Sequence, residues 1–182
     1  MNNRHRFRLA LLFLLLSFTN CQFRSFYNNH DLDHFIGVVV KIHDGDTYDL
    51  LLENKATIRI RMEGIDAPER GMPFSKKATE YLGDLCKGQT IKIENPTKDQ
   101  YGRTVGFSYL EDGRELSREM LKAGYAWHYK AYNSDPELAA LETEARQAKR
   151  GLWSDKNPIA PWEVRKLHRR GISTKNMFET KE

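Results

Sequence analysis

From residue 35 onward the chain alternates between two hydrophobic periods. Phe35-Ile36-Gly37-Val38-Val39-Val40-Lys41-Ile42 is a β-branched run that predicts a strand. His43-Asp44-Gly45-Asp46 predicts a turn, Asp-Gly being a strong hairpin signal, and Thr47 to Leu52 the return strand. Between Ala56 and Ile65 the period is two. Ile58, Ile60 and Met62 fall on one side and Arg59, Arg61 and Glu63 on the other, as in a half-buried strand. The period then lengthens. Ala78, Tyr81, Leu82 and Leu85 recur at helical spacing between Ser75, a predicted N-cap, and Gly88, which closes the helix. Thr90 to Glu94 and Val105 to Leu110 read as strands again, and Leu116 to Ala123 as a short helix ended by Gly124. Asp135-Pro136-Glu137 opens a third helix, whose Leu138, Leu141, Ala145 and Ala148 share one face up to Gly151. Five short strands with a helix between the third and fourth predict an α+β fold: a five-stranded β-barrel of the OB type with three helices.

The two ends break this pattern. Arg4, Arg6 and Arg8 precede an apolar run, Leu9 to Phe18, interrupted only by Ser17; Thr19-Asn20 then meets Cys21. A positive start and a short apolar core predict a secretory signal over residues 1–21, because the run falls short of the roughly 20 residues that span a bilayer. An uncleaved membrane anchor is the competing reading. Cys21 resembles the modified cysteine of a bacterial lipoprotein, although Phe18-Thr19-Asn20 departs from the small residue usual before it. Lipidation there would tether the domain to a membrane. Export is therefore expected, as a secreted protein or one anchored at the cell envelope. Residues 22–34 are expected to be a linker, 35–160 the folded domain and 161–182 a polar, flexible C-terminal tail.

Composition narrows the classes further. The 182 residues hold 29 Lys+Arg, 25 Asp+Glu and two cysteines. That is one domain with tails, long enough to bury a core without disulfide or zinc staples. Two cysteines exclude a disulfide framework or a cysteine-rich metal site. The formal net charge is +4. Residues 1–21 hold three arginines and no acid, so the remainder has 26 basic against 25 acidic residues, a net of +1. A nucleic-acid partner cannot be argued from that balance. Cys86 sits at an apolar helical position and reads as a small buried hydrophobe.

Three acids stand out: Asp46 at the hairpin turn, and Asp66 and Glu69 within Gly64-Ile65-Asp66-Ala67-Pro68-Glu69. If the barrel brings Asp46 and Asp66 together, their repulsion at about 4 Å costs roughly 4 kcal/mol at an effective dielectric near 20. A hard divalent cation would relieve it. The bland alternative is a pair of turn-favouring aspartates. Arg61 lies five residues before Asp66, which puts it on the opposite side of the pleat unless the strand bends at Gly64. Arg103 follows a turn, Asp99-Gln100-Tyr101-Gly102, and arginine offers planar, bidentate contacts to phosphate. Two arginines, a hard cation and a spare carboxylate suit phosphodiester hydrolysis, although either arginine alone reads as a solvated surface residue. Tyr125, Trp127, Tyr129 and Tyr132 cluster after the second helix. Trp127 and Trp153 read as core, and His128 as structural or surface.

Asp44-Gly45-Asp46-Thr47, Arg61 through Glu69, Tyr101-Gly102-Arg103 and Gly151-Leu152-Trp153, in this order and spacing, resemble the staphylococcal nuclease (thermonuclease) family over about residues 35 to 154. The resemblance implies an SNase-like OB-fold hydrolase, a calcium-dependent endonuclease acting on DNA and RNA. In that reading Asp46 and Asp66 hold one Ca2+ beside the backbone carbonyl of Ala67, where the best-known member has threonine. Glu69 acts as general base or positions the attacking water. Arg61 and Arg103 grip the phosphate. The products carry 3′-phosphate and 5′-hydroxyl ends. Family tyrosines in the region of Tyr129 and Tyr132 flank the nucleotide, which suits single-stranded substrate. A monomer is implied. The competing readings are a non-catalytic nucleic-acid- or protein-binding OB module, and a tethered lipoprotein serving adhesion or uptake.

Overall fold

The computed structural model describes residues 34–174 and Phe178. The predicted signal, with Cys21, and all of the predicted linker except His34 lie outside the described residues. Strands β1 (His34–Ile42) and β2 (Thr47–Leu52) form the predicted hairpin, and β2 pairs antiparallel with β3 (Thr57–Met62). Helix α1 (Ser75–Cys86) leads to β5 (Thr90–Lys98) and β6 (Thr104–Leu110), a second antiparallel pair. Two contacts close the cylinder. β5 pairs with β1, and β6 runs parallel to β3, giving a barrel of order β1-β2-β3-β6-β5. The predicted OB-type α+β barrel is thus present.

Alternation dictates what fills it. Tyr48 and Leu50 of β2, Ile60 and Met62 of β3, and Ile91 and Ile93 of β5 point inward and are fully buried. Ala78, Leu82 and Cys86, one face of α1, join the same cluster. Cys86 is the small buried hydrophobe expected, its thiol giving a hydrogen bond to the Leu82 carbonyl and pushed up to about 12 by burial.

Several local expectations change. Ser75 is not a side-chain cap: α1 starts from Phe74 in a left-handed conformation (φ 65°), whose carbonyl accepts from Ala78. β5 runs past Glu94 because the irregularity there, with Asn95 at φ 51° followed by Pro96, is a bulge and not a stop. A short β4 (Ile65–Asp66) pairs with β7 (Trp127–His128), a ribbon too brief for periodicity to reveal. Helices α2 (Leu116–Ala123) and α3 (Pro136–Gln147) fall where expected, α3 capped by Asp135 through the Glu137 amide at 2.8 Å. A 3-10 turn (Gly151–Ser154) follows.

The described residues contain four α-helices and not three. Helix α4 (Pro161–Arg169) occupies the segment expected to be a flexible tail. Pro161 opens it, Val164 is buried, and Trp162 packs against a second cluster of Trp127, Ala145, Leu152 and Trp153. Its polar composition hid an amphipathic helix. Among the described residues no helix is long and apolar enough to cross a membrane.

Candidate active site

One turn and one bend build the floor of a cavity of about 920 Å³, and a second turn forms its rim. The floor turn is His43–Asp46, where the Asp44 carboxylate accepts the Asp46 amide at 3.1 Å. Gly45 permits it: a β-carbon there would stand 2.8 Å from the β-carbons of both Ala67 and Ala78. Asp46, 4% exposed, therefore lies against the Ala67 peptide, whose N–H donates to Asp46 Oδ2 at 2.6 Å. Thr47 donates its hydroxyl to Asp46 Oδ1 at 3.0 Å.

The bend is at Gly64, with φ 79°. It separates β3 from β4 and turns the chain, so Arg61 and Asp66 meet despite their odd spacing. Arg61 Nη1 lies 3.0 Å from Asp46 Oδ2 and Nη2 lies 2.9 Å from Asp66 Oδ1. One guanidinium thus spans both buried aspartates. Asp66 is further held by β4–β7 pairing, opposite Trp127.

Burial sets the electrostatics. The Asp44 carboxyl is raised to about 7, first by desolvation and then by the neighbouring Asp46 charge. Asp66 is also raised, chiefly by burial and also by Asp46, against the opposing contacts of Arg165 and Arg61.

Glu69, Arg103, Ala67, Tyr129 and Tyr132 all line the same cavity. Arg103 is not part of the floor's ion-pair cluster. Its Nε pairs with Asp99 at 2.6 Å, and its guanidinium lies 5.5 Å from the Tyr101 ring centre. Asp99 also accepts the Tyr101 and Arg103 amides, which fixes that turn on the cavity rim. Tyr129 and Tyr132 pair at 4.9 Å, and Tyr132 is 77% exposed. Trp127 and Trp153 are buried against each other at 5.1 Å, as expected of core residues. His128 is buried, with Nε2 at 3.2 Å from Asn133 Oδ1.

The family model described as staphylococcal nuclease homologue matches residues 59–155, more than half of the chain. The chain belongs to the staphylococcal nuclease family. Its sequence is 44% identical over 126 residues to an uncharacterized endonuclease of Escherichia coli O157:H7, covering 69% of this chain and 82% of that protein. It is 39% identical over 142 residues to a micrococcal nuclease of Shigella flexneri, covering 72% of this chain and 81% of that one. A staphylococcal-like nuclease of Arabidopsis thaliana is 48% identical over 113 residues, 62% of this chain and 35% of its own length.

The family is generally metal-dependent, and the floor suits a hard cation. Asp46 and Asp66 are buried carboxylates on one guanidinium, with the Ala67 peptide against them. Among the described residues no group of three or more His, Cys, Asp or Glu side chains forms a metal cluster. Asp46 and Asp66 are the two carboxylates that a hard cation could use there, with water completing its shell.

Sequence reasoning missed Asp44, Asp99 and Arg165 as members of this site. Asp44 was visible as the first acid of the hairpin turn, and Asp99 as the acid four residues before Arg103. Arg165 Nη2 lies 2.7 Å from Asp66 Oδ2, and its Nη1 lies 2.6 Å from Glu69 Oε1. The one available signal was Pro161 at a helix start, with Arg165 and Arg169 four residues apart on one face.

Proposed function

We propose that this member of the nuclease family hydrolyses phosphodiester bonds of DNA and RNA by metal-assisted attack of water. One observation carries the reading: Asp46, Asp66, Glu69, Arg61 and Arg103, drawn from three separate segments, line a single cavity. Asp46, Asp66 and the Ala67 carbonyl are the ligands for one Ca2+, the ion the family resemblance implies. When bound, calcium supplies Lewis-acid polarisation of a phosphoryl oxygen.

The protein's own groups do the rest. Glu69 has one carboxylate oxygen held by Arg165 and accepts the water proton on the other. As the water oxygen bonds to phosphorus, the bond to the 5′ oxygen breaks and that oxygen takes a proton from solvent, leaving 3′-phosphate and 5′-hydroxyl ends. Arg61 and Arg103 bring positive charge to the phosphoryl group as its negative charge develops. Tyr129 and Tyr132 offer aromatic faces beside the cavity, which favours unpaired bases.

The test is degradation of plasmid DNA and RNA by the purified protein in calcium, then in excess chelator. Cleavage in calcium, its loss in chelator, and a drop of at least about 10²-fold in Glu69→Gln are expected. Binding without degradation under any divalent ion points instead to a non-catalytic module. Export belongs to the same proposal and rests on the residue pattern of 1–21. Fatty-acid labelling of Cys21 separates a tethered from a freely secreted monomer.

A further inference from the structure

Helix α4 lies beyond the segment the family model matches, residues 59–155, yet it reaches the floor of the cavity. Its Arg165 docks end-on against Asp66, with Nη2 at 2.7 Å from Oδ2 and Nη1 at 3.3 Å from Oδ1. The same Nη1 donates to Glu69 Oε1 at 2.6 Å. Among the described residues that is the partner of the Glu69 carboxylate, which otherwise stands 44% exposed.

The arginine is itself held. Its guanidinium lies 6.0 Å from the Tyr129 ring centre, and Tyr129 stacks on Trp162 of the same helix at 5.4 Å with the planes 7° apart. Trp162 meets Trp127 edge-on at 6.4 Å, and Trp127 is the β7 residue paired with Asp66. The helix is therefore docked on the ribbon that carries one of the acids it grips. A planar fork suits this double contact, and a point charge does not.

We infer that Arg165 is a positioning residue for the reaction: by bridging Asp66 and Glu69 it fixes the Glu69 carboxylate with one oxygen turned free to take the water proton. The inference rests on the hydrolytic reading of the site. Arg165 acts through Glu69, so its loss and the loss of Glu69 must overlap. An arginine that merely stabilises the fold, or one that grips substrate phosphate, gives independent losses.

The experiment combines Arg165→Ala, Arg165→Lys and Lys166→Ala with Glu69→Gln in calcium-supported cleavage. Arg165→Ala is expected to lower kcat by about tenfold or more with KM within about threefold, and Arg165→Lys to fall between. On the Glu69→Gln background Arg165→Ala should change the rate by less than about twofold. Multiplicative losses, or a raised KM with kcat kept, overturn the proposal. A second readout needs no turnover: the Glu69 side-chain carboxyl carbon resonance should move in Arg165→Ala and stay in place in Lys166→Ala. An unmoved resonance overturns the proposal as well. If the wild type cleaves nothing with any divalent ion, the hydrolytic reading falls by itself, and an inert Glu69 held by Arg165 overturns the catalytic role assigned here.

Discussion

Arg61 and Arg103 line one cavity but are held in opposite ways. The Arg61 side chain is 12% exposed and locked between two buried aspartates. Arg103 is 32% exposed and tied only within its own turn, to Asp99, with Tyr101 at 75% exposure beside it. The floor is an internal ionic network whose members neutralise one another. The rim is a stiff surface turn. A charge in the floor is therefore built into the fold, whereas a charge on the rim is held only by its own turn.

The sharpest break of that comparison is to remove each arginine. Both Arg61→Ala and Arg103→Ala should lower cleavage by at least about 10²-fold. Only Arg61→Ala should also cost stability, about 3 kcal/mol, because the buried Asp46 loses the Arg61 guanidinium that pairs with it. Arg103→Ala should stay within about 0.5 kcal/mol of wild type in denaturant unfolding. Equal stability losses would erase the distinction.

Next in size is the bend that builds the floor. A β-carbon at Gly64 would stand 2.7 Å from Leu138 Cδ1, on a backbone at φ 79°. Gly64→Ala should cost about 2 kcal/mol and loosen the meeting of Arg61 with Asp66. Gly71 has a similar φ of 90° but open space around it, so Gly71→Ala should cost only about 1 kcal/mol. Thermal unfolding of the pair separates crowding from backbone strain.

The smallest effect is electrostatic. Asp44 has a raised carboxyl, about 7 in the fold against 3.8 for the free group. The folded state therefore binds this proton more tightly than the unfolded chain. Its contribution to stability is present below the unfolded value, falls as pH rises through the window up to about 7, and is flat above. In chelator, Asp44→Asn should raise Tm by about 3 °C at pH 8 and change it little at pH 4. A lowered Tm at pH 8 would show that Asp44 strengthens the floor.

The barrel was legible because alternation along β1, β2, β3, β5 and β6 reports directly which face is buried. The floor was only half legible. Asp46, Asp66 and Glu69 could be named from their motifs, but parity placed Arg61 on the wrong side of the pleat until Gly64 supplied the turn. The rim motif was readable as a turn, though not that Asp99 binds the arginine it precedes. Arg165 was lost for a different reason. Helix α4 contributes few apolar residues; Val164 is buried, and Trp162 meets a cluster assembled from distant parts of the chain. No local period reports such a contact.

The Arg165–Asp66 contact joins residues 99 positions apart. At a synthesis speed of about 5–20 residues per second, the aspartate leaves the ribosome roughly 5–20 seconds before the arginine that completes its neutralisation. The growing polypeptide thus passes through an interval in which Asp66 has been made and its contact with Arg165 has not.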